Sequence, residues 1–314
     1  MAPMLLILAF LAVGLVLKRT GAMPENTGQV LNQYVIYVAV PAMILLHLPH
    51  LQLSMQVLTP ALMPCLLYPI AIALVWGCAK LFDWSRELTG ALMIIVPLGN
   101  TSFLGFPMVE VFFGVQGLPY AVIYDQIGSF VGLAFFATFI AAVYGMPQGS
   151  SASAKKPRAL ALIKQLLTFP PVIALVLALT IGQQEYPSVI QDFIEILAAT
   201  LVPVVMIAVG FQLQFRIPRD DALPFAIAMV IKLFILPAVA LATIVSTGQL
   251  GLAGQISVFE AAMPFMITAG AVAIGAGLKP RLVASLVGYG VLAGLITLPI
   301  WAWIIGMMVN AASG

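Results

Sequence analysis

The sequence contains little charge. Of its 314 residues, 8% are Asp, Glu, Lys or Arg, while 62% are hydrophobic. A typical soluble domain has about 25% charged residues, so the composition excludes a soluble globular protein. Cysteine and histidine are also scarce, with two of each. Cys65 and Cys78 fall in one predicted helix about 20 Å apart, which excludes a disulfide between them and favours packing roles.

The motifs of several other protein classes are missing as well. No basic stripe indicates a nucleic-acid partner, and the sequence lacks a glycine-rich phosphate loop. It has no Ser–His–Asp set, HExxH or Walker motif. His47 and His50 have no Cys or His neighbour at the spacing of a metal site. We therefore expect no enzyme activity, no metal, no cofactor and no nucleic acid.

What the sequence does contain is a succession of apolar segments about twenty residues long, enough to cross a bilayer as helices. They predict an all-α polytopic membrane protein. The first lacks the positive region and cleavage site of a signal peptide, so we interpret it as a retained span. It is short and is expected to extend toward Gly21 or to lie where the bilayer thins. We predict ten spans: 4–17, 28–47, 57–79, 90–113, 118–144, 160–181, 189–211, 223–246, 251–276 and 281–308.

The basic residues are distributed unevenly between the two sides of these spans. Of the 13 Lys and Arg residues, all except Lys232 flank spans on one side. Basic residues favour cytoplasmic loops, so the pattern predicts both termini outside, in a cell inner membrane. The twelve residues that carry this prediction are Lys18, Arg19, Lys80, Arg86, Lys155, Lys156, Arg158, Lys164, Arg216, Arg219, Lys279 and Arg281.

A segment rich in Gly, Ser, Pro and Lys divides the chain into two halves. We predict a cytoplasmic linker at 145–159, between five-helix repeats at 1–144 and 160–314. Because five spans is an odd number, the halves must insert with opposite topology. Proline landmarks recur between the halves at nearly constant offsets, which indicates an inverted repeat. The corresponding pairs are Pro41 with Pro203, Pro69 with Pro237, and Pro97 with Pro264.

The fourth predicted span is interrupted in its middle. Pro97 and Pro107 each remove a backbone donor, and Gly99 and Gly105 loosen the helix between them. The ninth span carries the corresponding interruption at Pro264. Unwound backbone at this depth is tolerated where it is buried in protein or lines a cavity. A pair of broken helices, one in each half, is typical of the substrate site of secondary transporters.

Polar side chains near the first interruption are candidate substrate contacts. Asn100, Thr101 and Ser102 lie near the predicted bilayer midplane. Neutral donors at a half-helix N-terminus could bind an anion, although polar residues also serve as hydrogen-bonding contacts between membrane helices. In the second half the candidates are Pro264, Phe265 and Thr268.

Ionisable residues inside predicted spans are candidates for function, because charge is costly there. Asp125 is a candidate proton acceptor, cation ligand or partner of Lys232. Glu260 is a candidate proton-coupling or gating carboxylate, or an interfacial residue at the outer mouth. Lys232 is expected to face the interior, where it would attract an anion or act as a structural counter-ion. Glu110 is expected to reach the interface without a functional role.

The motif VPLGNTSFLGFP resembles the fourth span of the auxin efflux carrier family, which places Asn100, Thr101, Gly105 and Pro107 on the family pattern. EAAMPFMITAGAVAIGAGLKP, with the span that follows it, resembles the ninth and tenth spans of that family, and the likeness extends over the whole chain. The short linker is similar to that of bacterial members described as malonate or organic-acid carriers, rather than to the plant PIN exporters.

The resemblance implies ten spans in two inverted repeats, with broken helices 4 and 9 crossing at prolines. It also implies a scaffold of helices 1, 2, 6 and 7, a transport bundle of helices 3–5 and 8–10, and contact between Asn100 and a substrate carboxylate. A homodimer through the scaffold is a further hypothesis. Glu260 stands where the plant proteins tend to have a neutral residue.

From these observations we expect a secondary active transporter of a small organic anion, a mono- or dicarboxylate of auxin-like or malonate-like type. An elevator-type alternating-access mechanism coupled to protons is the favoured hypothesis. The alternatives are a sodium-coupled organic-anion symporter of bile-acid-carrier type and a channel or membrane sensor.

Overall fold

A computed structural model describes residues 2–50, 55–145, 167–180, 186–213 and 221–313. Within these ranges the chain is helical and has no strand, apart from an isolated bridge between Gly99 and Phe265. The helices are α1 Ala2–Thr20, α2 Thr27–His47, α3 Met55–Leu81, α4 Arg86–Ile95, α5 Thr101–Phe113, α6 Val115–Tyr144, α7 Pro170–Thr180, α8 Ser188–Gln212, α9 Ala222–Ser246, α10 Leu252–Ala261, α11 Ile267–Gly275 and α12 Pro280–Ser313.

Several predicted features lie outside the described residues. These include the linker from residue 146 onward and the first part of the sixth predicted span, of which α7 is the described portion. Six of the basic residues used for orientation are also outside, namely Lys155, Lys156, Arg158, Lys164, Arg216 and Arg219.

Six described helices are long and apolar enough to cross a membrane, and the shorter helices α5 and α7 are also apolar. The six are α2, α3, α6, α8, α9 and the α12 segment Pro280–Ala311, which contain 21 to 32 residues each. A helix needs about 20 residues to cross a bilayer core of about 30 Å. The first predicted span, 4–17, lies within α1, which has 19 residues and continues to Thr20, in agreement with the expected extension toward Gly21. These features establish a multi-pass α-helical membrane protein.

The chain forms two compact units. Unit 1 consists of Met1–Leu53, Ser102–Val122 and Gln165–Leu213, and unit 2 consists of Ser54–Thr101, Ile123–Lys164 and Gln214–Gly314. Each unit therefore takes segments from both halves of the sequence.

Unit 1 contains a very close helix pair. A Cβ atom added at Gly14 of α1 would lie 2.1 Å from the carbonyl oxygen of Ile207 in α8, and one at Gly210 would lie 2.2 Å from that of Leu11. Small residues allow membrane helices to approach in this way. A polar contact joins α2 to α8, where Asn32 Nδ2 donates to Gln212 Oε1 at 3.3 Å.

Unit 2 is built around two short helices that are buried on all sides. Residues Leu88–Ile95 of α4 are all buried, as are Ile256–Ala261 of α10. A helix without a polar face is stable only when it is enclosed in this way. The Ser85 hydroxyl caps α4 by accepting a hydrogen bond from the backbone N–H of Leu88 at 3.2 Å.

Prolines inside the long helices leave carbonyl groups that need other donors. Pro237 in α9 has no N–H for the carbonyl of Leu233, and the helix widens to a π-turn over Ile231–Ile235 just before it. The indole N–H of Trp301 in α12 donates to this carbonyl at 2.8 Å. A tertiary hydrogen bond thus replaces the one that the proline removes, and it ties α9 to α12.

Candidate functional site

The two interrupted helices meet in unit 2 through their main chains. The backbone N–H of Asn100 donates to the carbonyl of Pro264 at 2.7 Å, and that of Met266 donates to the carbonyl of Leu98 at 3.1 Å. Gly99 and Phe265 form the antiparallel bridge between these bonds. The structure therefore brings Asn100, in the first predicted interruption, into direct contact with Pro264, in the second.

Four helix ends converge on this crossing. α4 and α10 reach it with their C-termini, and α5 and α11 leave it with their N-termini. The first turn of a helix has backbone N–H groups without intrahelical acceptors and carries partial positive charge, whereas the last turn has free carbonyls and partial negative charge. The crossing therefore offers free backbone N–H groups to an anion and free carbonyls to a cation.

Lys232 supplies a positive charge near the end of α4. Its side chain is 2% exposed, and its Nζ donates to the carbonyl of Pro97 at 3.5 Å. A Cβ atom added at Gly99 would lie 3.2 Å from this Nζ, so glycine leaves room for the ammonium beside the main chain. The structure places Lys232 in the interior as predicted, against a carbonyl at the end of α4.

Glu260 lies on the last turn of α10 and is 0% exposed. Neither carboxylate oxygen has a hydrogen-bond partner among the described residues. Glu260 is close enough to Lys232 and to Asp125 to interact electrostatically with both. Glu260 is therefore enclosed in protein rather than exposed at a surface.

Asp125 is held by neighbouring polar side chains. The Thr101 hydroxyl donates to Asp125 Oδ1 at 2.5 Å and lies 2.7 Å from the Ser129 hydroxyl. Gln126 Nε2 donates to Asp125 Oδ2 at 2.9 Å. The Tyr68 hydroxyl reaches Ser129 from α3. This network fixes the residue from which α5 begins, and it shows Asp125 in contact with Thr101.

Besides Glu260, two polar side chains near the crossing have a buried atom without a hydrogen-bond partner in the described structure. Asn100 is 2% exposed, and its Nδ2 makes no hydrogen bond to a described residue. The hydroxyl of Thr268, on the first turn of α11, is also buried without one. A buried polar group costs free energy unless it is paired, so these two groups indicate where a ligand could bind.

Sequence reasoning missed the surface on which the second break rests. A Cβ atom at Gly290 of α12 would lie 2.6 Å from the ring of Phe265, and one at Gly294 would lie 3.0 Å from Pro264. The i, i+4 spacing of these glycines could have suggested a close helix contact. It did not identify the partner.

Replacing Gly290 by Leu is expected to destabilise unit 2. The new side chain would displace Phe265 from the crossing, and overpacking of this kind costs about 1–3 kcal/mol. Gly306→Leu on the same helix is the matched control, because a Cβ atom there meets nothing within 4 Å. Thermal unfolding of the two purified variants provides the measurement. Equal melting temperatures would contradict the described contact.

The remaining predicted residues lie away from these contacts. Ser102, Gly105 and Pro107 follow the crossing along α5 and belong to unit 1. Glu110 is exposed near the end of α5. Cys65 and Cys78 are free thiols of α3, and Cys65 is exposed. Among the described residues, no group of three or more His, Cys, Asp or Glu side chains is placed to hold a metal ion.

Comparison with known proteins is consistent with this architecture. A family model described as "Membrane transport protein" matches residues 1–302. An uncharacterized transporter of Methanocaldococcus jannaschii is 26% identical over 318 residues, covering 97% of this chain and 99% of the relative. An uncharacterized transporter of Methanothermobacter thermautotrophicus is 28% identical over 303 residues, covering 94% and 95%. The chain belongs to the membrane transport protein family, the auxin efflux carrier family that its fourth- and ninth-span motifs resemble.

Proposed function

We propose that this membrane transporter is a secondary active carrier of a small organic anion, a mono- or dicarboxylate, which binds at the crossing in unit 2. The observation that carries the proposal is the unpartnered Nδ2 of Asn100, buried beside the N-terminus of α5. A substrate carboxylate would accept from this amide and from the free N–H groups of the first helical turn. The Lys232 ammonium lies beside the Pro97 carbonyl in the same unit, and its positive charge would attract the anion.

The charges around the crossing support proton coupling. With Lys232 protonated and Asp125 and Glu260 ionised, the three side chains have one excess negative charge. An organic anion would add another in a low-dielectric region, where like charges repel strongly. Entry of a proton with the anion removes this penalty.

Glu260 suits the role of proton acceptor better than Asp125 does. Asp125 accepts hydrogen bonds from Thr101 and Gln126, so its protonation would disturb an existing network. Glu260 has no hydrogen-bond donor among the described residues and can change its charge without breaking a bond. We assign proton coupling to Glu260 and the positioning of α5 to Asp125.

We also propose ten spans in an inverted repeat, supported by the proline offsets between the halves. The protein would lie in an inner membrane with both termini outside, as the distribution of basic residues indicates. We propose unit 1 as the scaffold, because the described parts of spans 1, 2, 6 and 7 belong to it. Unit 2 would then be the moving bundle of an elevator. The second part of span 4 and the start of span 5 belong to unit 1. We further propose a homodimer through the scaffold helices.

Uptake into proteoliposomes tests the function. We expect labelled mono- or dicarboxylates to accumulate when a proton gradient is imposed, and unlabelled carboxylates to compete. Accumulation that requires sodium and fails in choline would favour the sodium-coupled alternative. Rates far above conformational cycling would indicate a channel.

Replacing Glu260 by Gln should uncouple transport from protons. We expect substrate exchange across the membrane to continue while accumulation driven by the proton gradient is lost, because the amide cannot take up the coupled proton. Asp125→Asn serves as the comparison and should retain gradient-driven accumulation at a lower rate. Undiminished gradient-driven uptake by Glu260→Gln would remove Glu260 from the coupling role.

A further inference from the structure

Unit 1 contains a cavity separate from the crossing. It has a volume of about 520 Å³ and lies among α1, α2, α5, the start of α6 and α8. This volume is within the range of about 300–1,000 Å³ that small-molecule sites occupy. None of the residues that we assign to anion binding or proton coupling lines it.

The lining of the cavity is apolar except at three positions. Leu6 and Phe10 of α1 and Met43 of α2 belong to its hydrocarbon wall. Glu110 of α5 and Glu195 of α8 are the acidic residues of the lining, and His47 is the third ionisable one. The described residues of the lining include no Lys or Arg. The cavity thus combines a hydrophobic wall with two carboxylates.

Both carboxylates are accessible to a ligand. Glu110 and Glu195 are exposed. Glu195 Oε1 accepts a hydrogen bond from Gln191 Nε2 at 3.0 Å, which leaves other lone pairs of this carboxylate for a second donor. The amide of Gln191 also holds the Glu195 side chain in a defined position on α8.

We infer that this cavity is a binding site for an amphiphilic organic monocation, an alkyl- or arylalkylammonium. The ammonium has three N–H donors for the carboxylates of Glu110 and Glu195, and its hydrocarbon body fits the apolar wall. An organic anion would be repelled by the two carboxylates. A phospholipid would be disfavoured in the same way, since it would bring its phosphate beside them.

The site is expected to have an effect on transport. Pro107 and Glu110 belong to α5, the helix that begins directly after Asn100. A ligand that bridges α5 to α1, α2 and α8 would restrain this helix. We therefore expect the ammonium ligand to slow transport without competing with the anion. The binding itself does not depend on the identity of the transported substrate.

Calorimetric titration of the purified protein with 4-phenylbutan-1-amine tests the inference. We expect saturable binding to the unmodified chain and at least tenfold weaker binding to the Glu110→Gln, Glu195→Gln double variant. Asp192→Asn is the matched control, because this exposed carboxylate lies on α8 beside the site without lining it. It should bind as the unmodified chain does.

Two further arms separate specific binding from partitioning into detergent. 4-Phenylbutyrate, with the same hydrocarbon body and the opposite charge, should not bind. Ala199→Phe should block the amine, since Ala199 lines the cavity and is exposed. The inference would be overturned by equal affinity of the amine for the double variant, by binding of the carboxylate with similar affinity, or by the lack of saturable binding to the unmodified chain.

Discussion

Transport is expected to fall at least a hundredfold when Asn100 is replaced by Asp. The change keeps the size of the side chain and removes the Nδ2 donor, which has no protein partner among the described residues. It also introduces a carboxylate beside the site where we place an anion. A hydrogen bond to a charged group contributes about 1.5–3 kcal/mol, and repulsion between like charges adds to the loss.

The backbone of Asn100 should be unaffected by this change, because its N–H bonds Pro264 whatever the side chain is. We therefore expect the variant to keep the backbone contact of the crossing, although a buried carboxylate without a partner lowers its melting temperature. Asn26→Asp, at an exposed position before α2, is the control and should transport normally. If Asn100→Asp carried anions at an unchanged rate, the crossing would not be the substrate site.

The second large effect is expected for Lys232→Met, which should destabilise the protein by about 3–5 kcal/mol, the usual cost of leaving a buried charge without its partner. The Pro97 carbonyl would lose its side-chain donor, and Glu260 would lose a nearby positive charge. Thermal unfolding in detergent measures the change. Lys18→Met is the control, since Lys18 Nζ also donates to a carbonyl, that of Leu213 at 2.7 Å, but is only partly buried.

A double-mutant cycle separates the electrostatic part of this effect from packing. Glu260→Gln removes the negative charge that Lys232 compensates, so the pair Lys232→Met, Glu260→Gln should recover part of the lost stability. Strict additivity of the two single changes would show that Lys232 and Glu260 do not interact. It would leave the Pro97 carbonyl as the main reason for the buried lysine.

The positions of the two helix breaks could be predicted from the sequence because their cause is local. Pro97 and Pro264 lack backbone N–H groups, and polar or small residues follow them in segments long enough to span a bilayer. Such a pattern leaves unsatisfied main-chain groups that must find partners in the protein. In the structure they find one another, through Asn100 with Pro264 and Met266 with Leu98.

The partners of individual side chains could not be predicted in the same way. Thr101 and Asp125 are 24 positions apart, and contact between them depends on how α5 and α6 are rotated about their axes. Hydrophobic periodicity does not define this rotation when helices are apolar on most sides. The same reason explains why the contacts of Gly290 and Trp301, both on the long apolar helix α12, gave no sequence signal that identified their partners.

The two broken helices are joined by hydrogen bonds between backbone groups, which do not depend on the identity of the side chains. Side chains beside the crossing can therefore be exchanged while these hydrogen bonds remain, provided that no proline removes the N–H of residue 100 or 266 and that no added bulk crowds the crossing, as it would at Gly290. If the anion binds at this crossing as proposed, substitutions of the surrounding side chains can change the transported compound while the two backbone hydrogen bonds are kept.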